Sequence, residues 1–205
     1  NNGGDDDPEP SLDNIERFLR AQGLVINQRT LRRYHLSIKS RGFVILSGPS
    51  GTGKTWLAQA YARAAGGDQL LVSVAPNWTT NEDLLGYENP ISEQYHHTSF
   101  SMFLQRASKE WVDAESERRV ARPFFLILDE MNLARIEYYF ALFLSKLEVR
   151  DREGSASIDL GTQQVSLTPN FKVVGTVNVD ETTQLFADKV YDRSQLIELS
   201  ISYED

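Results

Sequence analysis

The sequence is organised around residues 48–55, which read Gly48-Pro49-Ser50-Gly51-Thr52-Gly53-Lys54-Thr55. They satisfy the phosphate-loop pattern, in which Gly, four arbitrary residues and a second Gly precede Lys and then Ser or Thr. The glycines let backbone N–H groups curl around phosphate oxygens, and the start of the following helix adds partial positive charge. We assign all eight residues to nucleotide binding, with Lys54 at the β- and γ-phosphates and the Thr55 hydroxyl on Mg²⁺.

The flanking sequence supports this assignment. Residues 43–46 are a short apolar run, Phe-Val-Ile-Leu, which is typical of a strand buried on both faces. Residues 54–65 have helical spacing and stop at a Gly-Gly pair. The alternative, a glycine-rich turn that happens to end in Lys-Thr, does not account for this context. Trp56 follows the loop directly and is a candidate for lining the nucleotide pocket.

Two acids follow the most hydrophobic strand of the chain. Residues 124–128 read Phe-Phe-Leu-Ile-Leu and run into Asp129 and Glu130. A carboxylate at the C-terminal end of such a strand can hold Mg²⁺, and an acid beside it can act as general base toward water. The alternative is a solvated pair that caps the next helix. The phosphate loop upstream favours the catalytic interpretation.

Strands and helices alternate along most of the chain, and this pattern predicts an α/β fold with a parallel sheet. Ser11 is expected to cap a first helix, and a second follows before residue 42. Residues 77–100 are rich in turns, residues 101–119 and a segment after Glu130 are predicted helices, and residues 150–170 suggest a hairpin. The five predicted strands cover residues 43–46, 70–74, 124–128, 171–176 and 196–201.

The charge is uneven along the 205 residues. The chain has 21 Lys and Arg against 29 Asp and Glu, a net charge of -8. Seven of these negative charges lie in the first and last ten residues, so residues 11–195 carry about -1. This balance excludes a basic clamp on nucleic acid within the chain. We predict a disordered acidic lead at residues 1–10, either a linker from an upstream domain or merely the edge of a fragment, and one domain at residues 11–205.

Other classes of site are excluded by residue type. The chain has no Cys, so disulfides, thiolate metal sites and cysteine nucleophiles are ruled out, which fits a cytoplasmic protein. No apolar run approaches the roughly 20 residues that span a bilayer, so no membrane partner is expected. The three Trp residues are interpreted as core or interface packing, His96-His97 as a solvated pair and Arg118, Arg119 and Arg122 as a mixed-charge helix end.

Three further stretches resemble a known family. Residues 129–135 read Asp-Glu-Met-Asn-Leu-Ala-Arg, residues 174–178 read Val-Gly-Thr-Val-Asn, and residues 82–87 read Glu-Asp-Leu-Leu-Gly-Tyr. Together with the phosphate loop and a Leu147-Glu148 pair, they are similar to McrB-type AAA+ ATPases, a group related to MoxR-type and dynein-type modules. The resemblance implies a three-layer α/β/α domain with sheet order 5-1-4-3-2, a helix-2 insert and a pre-sensor-1 hairpin.

The resemblance also implies roles for individual residues. Asp129 is the Mg²⁺ acid, Glu130 the base and Asn178 the sensor that orients the attacking water. Arg193 occupies the place of a finger that reaches the γ-phosphate of a neighbouring subunit, although the family often has two or three adjacent arginines there. Turn capping by Asn178 and a solvated helix-end charge at Arg193 are the alternatives. The helical lid of the family does not follow residue 205, which suggests either truncation or a natural variant without a lid.

The implied activity is Mg²⁺-dependent hydrolysis of ATP, with GTP as the alternative base because McrB itself uses GTP. A finger supplied in trans implies a ring, by likeness a hexamer. The expected partners are further copies of this chain and an McrC-like nuclease, with DNA handled through other domains, in a modification-dependent restriction system. The rival functions are a MoxR-like chaperone that remodels a protein client and a nucleotide-gated scaffold with little hydrolysis.

Overall fold

The computed structural model describes residues 10–161, 163–179 and 186–199. The predicted acidic lead, except Pro10, and the end of the predicted fifth strand lie outside the described residues. The helices are α1 (Leu12–Ala21), α2 (Gln28–Ser40), α3 (Lys54–Ala64), α4 (Glu82–Leu85), α5 (Ser99–Glu117), α6 (Ile136–Tyr139), α7 (Ala141–Glu153) and α8 (Asp188–Arg193). The strands are β1 (Phe43–Gly48), β2 (Asp68–Ser73), β3 (Gly86–Asn89), β4 (Gln94–His97), β5 (Phe124–Asp129), β6 (Ala156–Leu160), β7 (Gln163–Leu167), β8 (Phe171–Asn178) and β9 (Gln195–Glu198).

Five strands form the central sheet, in the order β2-β5-β8-β1-β9, and every pairing is parallel. In sequence order these are core strands 2, 3, 4, 1 and 5, so the predicted order 5-1-4-3-2 and the α/β/α class are confirmed. Because all strands are parallel, their carboxyl ends meet at one edge. The loop after β1 and the acids that end β5 therefore face the same side of the sheet.

Successive side chains of a strand point to opposite faces of the sheet. The side chains on both faces are buried, and helices cover each face. On one face Val44 and Leu46 pack with α1, α2 and α3. On the other Phe43 and Ile45 pack with α5, α7 and the hairpin β6–β7. Every residue of β1 is buried, as the apolar run predicts.

Helix ends follow the sequence signals with small shifts. The Ser11 side chain accepts a hydrogen bond from the Asn14 backbone N–H at 3.3 Å, so its prediction as the cap of α1 is confirmed. Helix α5 begins two residues earlier than predicted because Thr98 and Ser101 form a reciprocal capping box. The single amphipathic helix expected after Glu130 is wrong: α6 and α7 are separate, and Phe140 between them has φ -119°.

Two antiparallel hairpins extend from the core. The hairpin β3–β4 lies within the turn-rich segment 77–100, and β6–β7 is the hairpin predicted within residues 150–170. The two hairpins touch, since a Cβ on Gly161 would lie 2.9 Å from the Tyr95 ring. Of the described helices, none has the length and apolarity required to cross a bilayer.

Candidate nucleotide-binding site

The phosphate loop joins the end of β1 to the start of α3. Gly51 and Gly53 both have φ +78°, a left-handed conformation that L side chains rarely adopt. No atom lies within 4 Å of a Cβ placed on either residue, so the backbone presents an open concave surface. Gly48 differs, because a Cβ there would lie 2.4 Å from the carbonyl oxygen of Leu199. The motif glycines are therefore required for two reasons, backbone conformation and close packing.

The Lys54 ammonium lies over this loop. Its Nζ donates to the carbonyl oxygens of Gly48 at 2.9 Å and Pro49 at 2.6 Å, and to the Thr52 hydroxyl at 3.2 Å. The residue is 5% exposed, so the charge is held in a fixed place. Phosphate oxygens are stronger acceptors than these neutral groups. A bound phosphate would therefore replace these neutral groups as the hydrogen-bond acceptor of the Lys54 ammonium.

The Asp129 carboxylate is connected to the phosphate-loop helix and to β8. Its Oδ1 accepts hydrogen bonds from the hydroxyls of Thr55 at 2.5 Å and Thr176 at 2.8 Å. Strand β8 lies between β1 and β5, so the Thr55–Asp129 contact spans one strand of the sheet. The predicted pair of metal-binding residues is therefore brought into direct contact.

A hydroxyl and a carboxylate are hard oxygen ligands, and they fit Mg²⁺ in particular. Mg²⁺ keeps several waters and commonly takes one or two carboxylates together with substrate phosphates. Within the described ranges there is no group of three or more His, Asp or Glu side chains that could hold a metal alone. The donors at Thr55 and Asp129 thus suit an ion that arrives with a nucleotide.

Glu130 has a backbone conformation rare for a residue with a side chain. Its φ is +52°, in the left-handed region that costs about 1–3 kcal/mol for such residues and that clusters at functional sites. Its N–H donates to the Thr176 hydroxyl at 2.9 Å, and its Oε1 accepts from Asn178 Nδ2 at 3.1 Å. Helix α6 begins only at Ile136, so the acids do not cap it. The predicted base and sensor are hydrogen-bonded to each other.

Thr176 belongs to this network, but the sequence assigned it no role although it lies in the motif at residues 174–178. It is 2% exposed and contacts both acids, through the Asp129 carboxylate and the Glu130 backbone. Thr176 and Asn178 are two residues apart, so they point to the same face of β8. Two polar residues at this spacing, near the end of a largely apolar strand, are the signal that could have identified it.

The buried Met131 locks the acidic segment against β8. Its backbone N–H donates to the Thr176 carbonyl oxygen at 2.9 Å, and its side chain is 0% exposed. A Cβ on Gly175 would lie 2.0 Å from the Met131 sulfur, so the Met side chain occupies the space that only Gly leaves. This packing consequently fixes the position of the two acids relative to Thr176 and Asn178 on β8.

A cleft of about 550 Å³ adjoins the phosphate loop. Trp56 lines it and is 44% exposed, so this Trp is not part of the core. The opposite wall is the connector between α1 and α2, residues 23–27, with Leu199 at the edge. An apolar wall beside a phosphate loop suits a nucleobase. The connector could not be identified from the sequence, because it carries no motif.

Arg193 ends helix α8 and lies apart from this network. Its Nε donates to Glu148 Oε2 at 3.1 Å, its Nη2 also pairs with that oxygen, and Nη1 donates to the Lys189 carbonyl oxygen at 3.2 Å. Its side chain is 29% exposed. In the part of the chain that the structure describes, no hydrogen bond or ion pair joins Arg193 to the phosphate loop or the two acids. The structure therefore groups the other predicted site residues and leaves Arg193 separate.

The five-stranded parallel sheet, the phosphate loop and the acid pair with its Thr and Asn partners define a P-loop nucleotide-binding domain of the AAA+ type. The family model for the AAA domain, dynein-related subfamily, matches residues 43–193, and the chain belongs to this family. A search of curated proteins found no match to this chain. Family membership assigns nucleotide binding, typically with Mg²⁺, and ATPase activity in general terms.

Proposed function

We propose that this chain is a Mg²⁺-dependent motor subunit that hydrolyses ATP in a ring assembly. The observation that carries the proposal is the continuous hydrogen-bond network from Thr55 through Asp129 and Thr176 to Glu130 and Asn178. It connects the phosphate loop to an acid pair across the carboxyl edge of the sheet. A scaffold that only binds nucleotide would not need the part of the network that joins Thr176, Glu130 and Asn178.

In the proposed reaction, Lys54 neutralises phosphate charge, and Thr55 and Asp129 hold Mg²⁺, which supplies electrostatic stabilisation of the γ-phosphoryl group when bound. Glu130 accepts a proton from water as the water oxygen bonds to the γ-phosphorus, and the bond to the bridging oxygen of ADP breaks. Asn178 orients the Glu130 carboxylate through their hydrogen bond. Trp56 and the connector at residues 23–27 hold the nucleobase of the bound nucleotide.

The proposed active unit is a ring, a hexamer by family likeness, in which Arg193 reaches the γ-phosphate of the neighbouring subunit. Two observations support a role between subunits. Arg193 has no contact with the site of its own chain among the described residues, and its guanidinium is partly exposed on the surface, paired with Glu148. An arginine that completes a neighbour's site needs such a surface position.

For the cellular role we propose the motor of an McrB-type, modification-dependent restriction system that works with an McrC-like nuclease, with DNA bound through other domains. The support is the Asp-Glu-Met-Asn motif at residues 129–132 together with Gly175. Met131 fills the space beside Gly175, so two of the motifs that carry the resemblance form one packing unit. We propose ATP rather than GTP because the sequence has no guanine-reading Asn-Lys-x-Asp motif.

The first experiment is Glu130→Gln, which keeps the shape and the Asn178 contact but removes the base. ATP should still bind, and turnover should fall by about 10²–10⁴-fold, the usual contribution of general-base catalysis. Glu88→Gln on the exposed hairpin is the matched control and should hydrolyse at the wild-type rate. Wild-type turnover by Glu130→Gln would refute the base assignment.

The ring is tested by mixing two inactive variants. Arg193→Ala keeps an intact nucleotide site, whereas Glu130→Gln keeps an intact Arg193. If the arginine acts in trans, mixed assemblies regain turnover that neither variant has alone. Mixtures as inactive as the separate variants, or a rate per subunit that is independent of protein concentration across the assembly range, would refute the trans arrangement. Running each assay with ATP and with GTP shows which nucleobase the protein prefers.

A further inference from the structure

The Arg193 guanidinium uses all three of its nitrogens within its own chain. Nε and Nη2 both pair with Glu148 Oε2, and Nη1 donates to the Lys189 carbonyl oxygen. An arginine binds carboxylate and phosphate oxygens with the same fork of N–H donors. A phosphate that approaches Arg193 must therefore compete with the Glu148 carboxylate for these donors.

The backbone on each side of this ion pair is anchored in the core. Leu147, next to Glu148 on α7, is 2% exposed, and Val190, three residues before Arg193 on α8, is 0% exposed. Helices α7 and α8 also contact each other directly. The carboxylate and the guanidinium consequently meet because two fixed helices present them to each other, and breaking the pair requires only that the side chains rotate.

The pair is accessible from outside the chain. The Glu148 side chain is 52% exposed and the Arg193 side chain 29%, and both line a cleft of about 530 Å³ between α7 and α8. Exposed ion pairs of this kind are weak, so a more strongly charged group can displace the carboxylate. The neighbouring Arg150 differs, because it is 4% exposed and donates to the Phe171 carbonyl oxygen at 2.8 Å. Of these two arginines on the α7 side of the sheet, Arg193 is the one free to exchange its partner.

We propose that Glu148 is a latch on Arg193, which the γ-phosphate of a neighbouring subunit displaces when the ring assembles. The inference rests on the proposed role of Arg193 in trans. Glu148 acts through Arg193 and does not contact the nucleotide, so it is a positioning residue. The ion pair stabilises the separate subunit and must break on assembly. ADP has no γ-phosphate to replace the carboxylate, so the latch makes assembly depend on the triphosphate.

Sedimentation velocity tests the latch without relying on turnover. The Glu130→Gln protein is the parent, because it should keep bound ATP intact. Adding Glu148→Gln should lower the subunit dissociation constant with ATP by about two- to fivefold, the range that corresponds to the loss of one exposed ion pair. The same change should have no effect with ADP, or when Arg193→Ala is also present, because the latch then has nothing to release.

Glu153→Gln is the matched control. It removes another exposed ion pair of α7, the one with Arg152, and should leave the dissociation constant unchanged. An effect of Glu148→Gln that persists with ADP or with Arg193→Ala would reveal a general change of the interface and overturn the latch.

Two other outcomes separate the latch from the proposed function. If Arg193→Ala weakens the ATP-dependent assembly but Glu148→Gln leaves it unchanged or weakens it, the arginine acts in trans and the latch alone is wrong. If Arg193→Ala assembles with ATP as tightly as its parent, the contact in trans is itself refuted, and the latch with it.

Discussion

Gly175→Ala tests whether the packing between Met131 and β8 controls the site. Gly175 does not have a positive φ, so Ala is compatible with its backbone and the effect is purely steric. The new Cβ would lie 2.0 Å from the Met131 sulfur, whereas real Cβ contacts essentially never fall under 3.0 Å. The sulfur must therefore move by at least about 1 Å within a side chain that has no exposed surface.

Overpacking of this kind costs about 1–3 kcal/mol in a packed core. The displacement also acts on activity, because the neighbouring Glu130 has a strained backbone and depends on Thr176 for its position. We expect the urea midpoint to fall by the amount that corresponds to this free energy, and ATP turnover to fall further than the loss of folded protein explains. Circular dichroism in urea and steady-state phosphate release measure the two effects.

A double-mutant cycle isolates the contact. Met131→Ala alone leaves a cavity and should cost about 2–5 kcal/mol. In the double variant the clash is absent, so the two costs should be less than additive by about 1 kcal/mol or more. Additivity within about 0.5 kcal/mol, or a Gly175→Ala protein as stable as wild type, would refute the reasoning.

Two further changes have definite expected outcomes. Gly48→Ala places a Cβ 2.4 Å from a backbone carbonyl oxygen, which cannot rotate away, so it should destabilise the fold by at least about 1–3 kcal/mol in urea and abolish nucleotide binding measured by calorimetry. The hydrogen bond from Arg119 lowers the pKa of Glu110, so this carboxylate contributes stability above its unfolded pKa and loses it as pH falls through the lower folded value. Glu110→Gln should therefore be less stable than wild type by about 0.5–1 kcal/mol at pH 7, and the difference should shrink as pH falls below the unfolded pKa of about 4.3 and vanish only below the lower folded pKa; a difference that stays constant through this range would contradict the sign.

The sequence predicted the parallel sheet because the deciding signals are local, whereas the order of its strands was implied only by the family resemblance. The phosphate loop identifies the first strand and helix, and the remaining strands are apolar runs long enough to recognise. The break at Phe140 between α6 and α7 was missed because both helices keep an apolar face across it, and hydrophobic spacing does not record a single non-helical residue. Periodicity therefore located the helical segment but not its division.

At the site, the sequence assigned roles to Asp129, Glu130 and Asn178 but none to Thr176, although Thr176 lies in the motif at residues 174–178. Thr176 lies 47 residues from Asp129 along the chain, and only the pairing of β5 with β8 brings them together. Trp56 was identified by adjacency to the loop, but the connector opposite it, residues 23–27, precedes the whole sheet in sequence.

A substitution is expected to affect activity differently at the charged residues of the site and at its neutral residues. Asp129 and Glu130 carry the charges that the proposed reaction needs, and any change to them alters the chemistry directly. Thr176 carries no charge, yet one hydroxyl contacts the carboxylate of the first acid and the backbone N–H of the second. Because the second acid has a left-handed φ of +52°, the surrounding contacts must offset the strain of that conformation. The neutral strand residues thus determine the geometry in which the charged pair operates, and the site extends across β8 as well as over the phosphate loop.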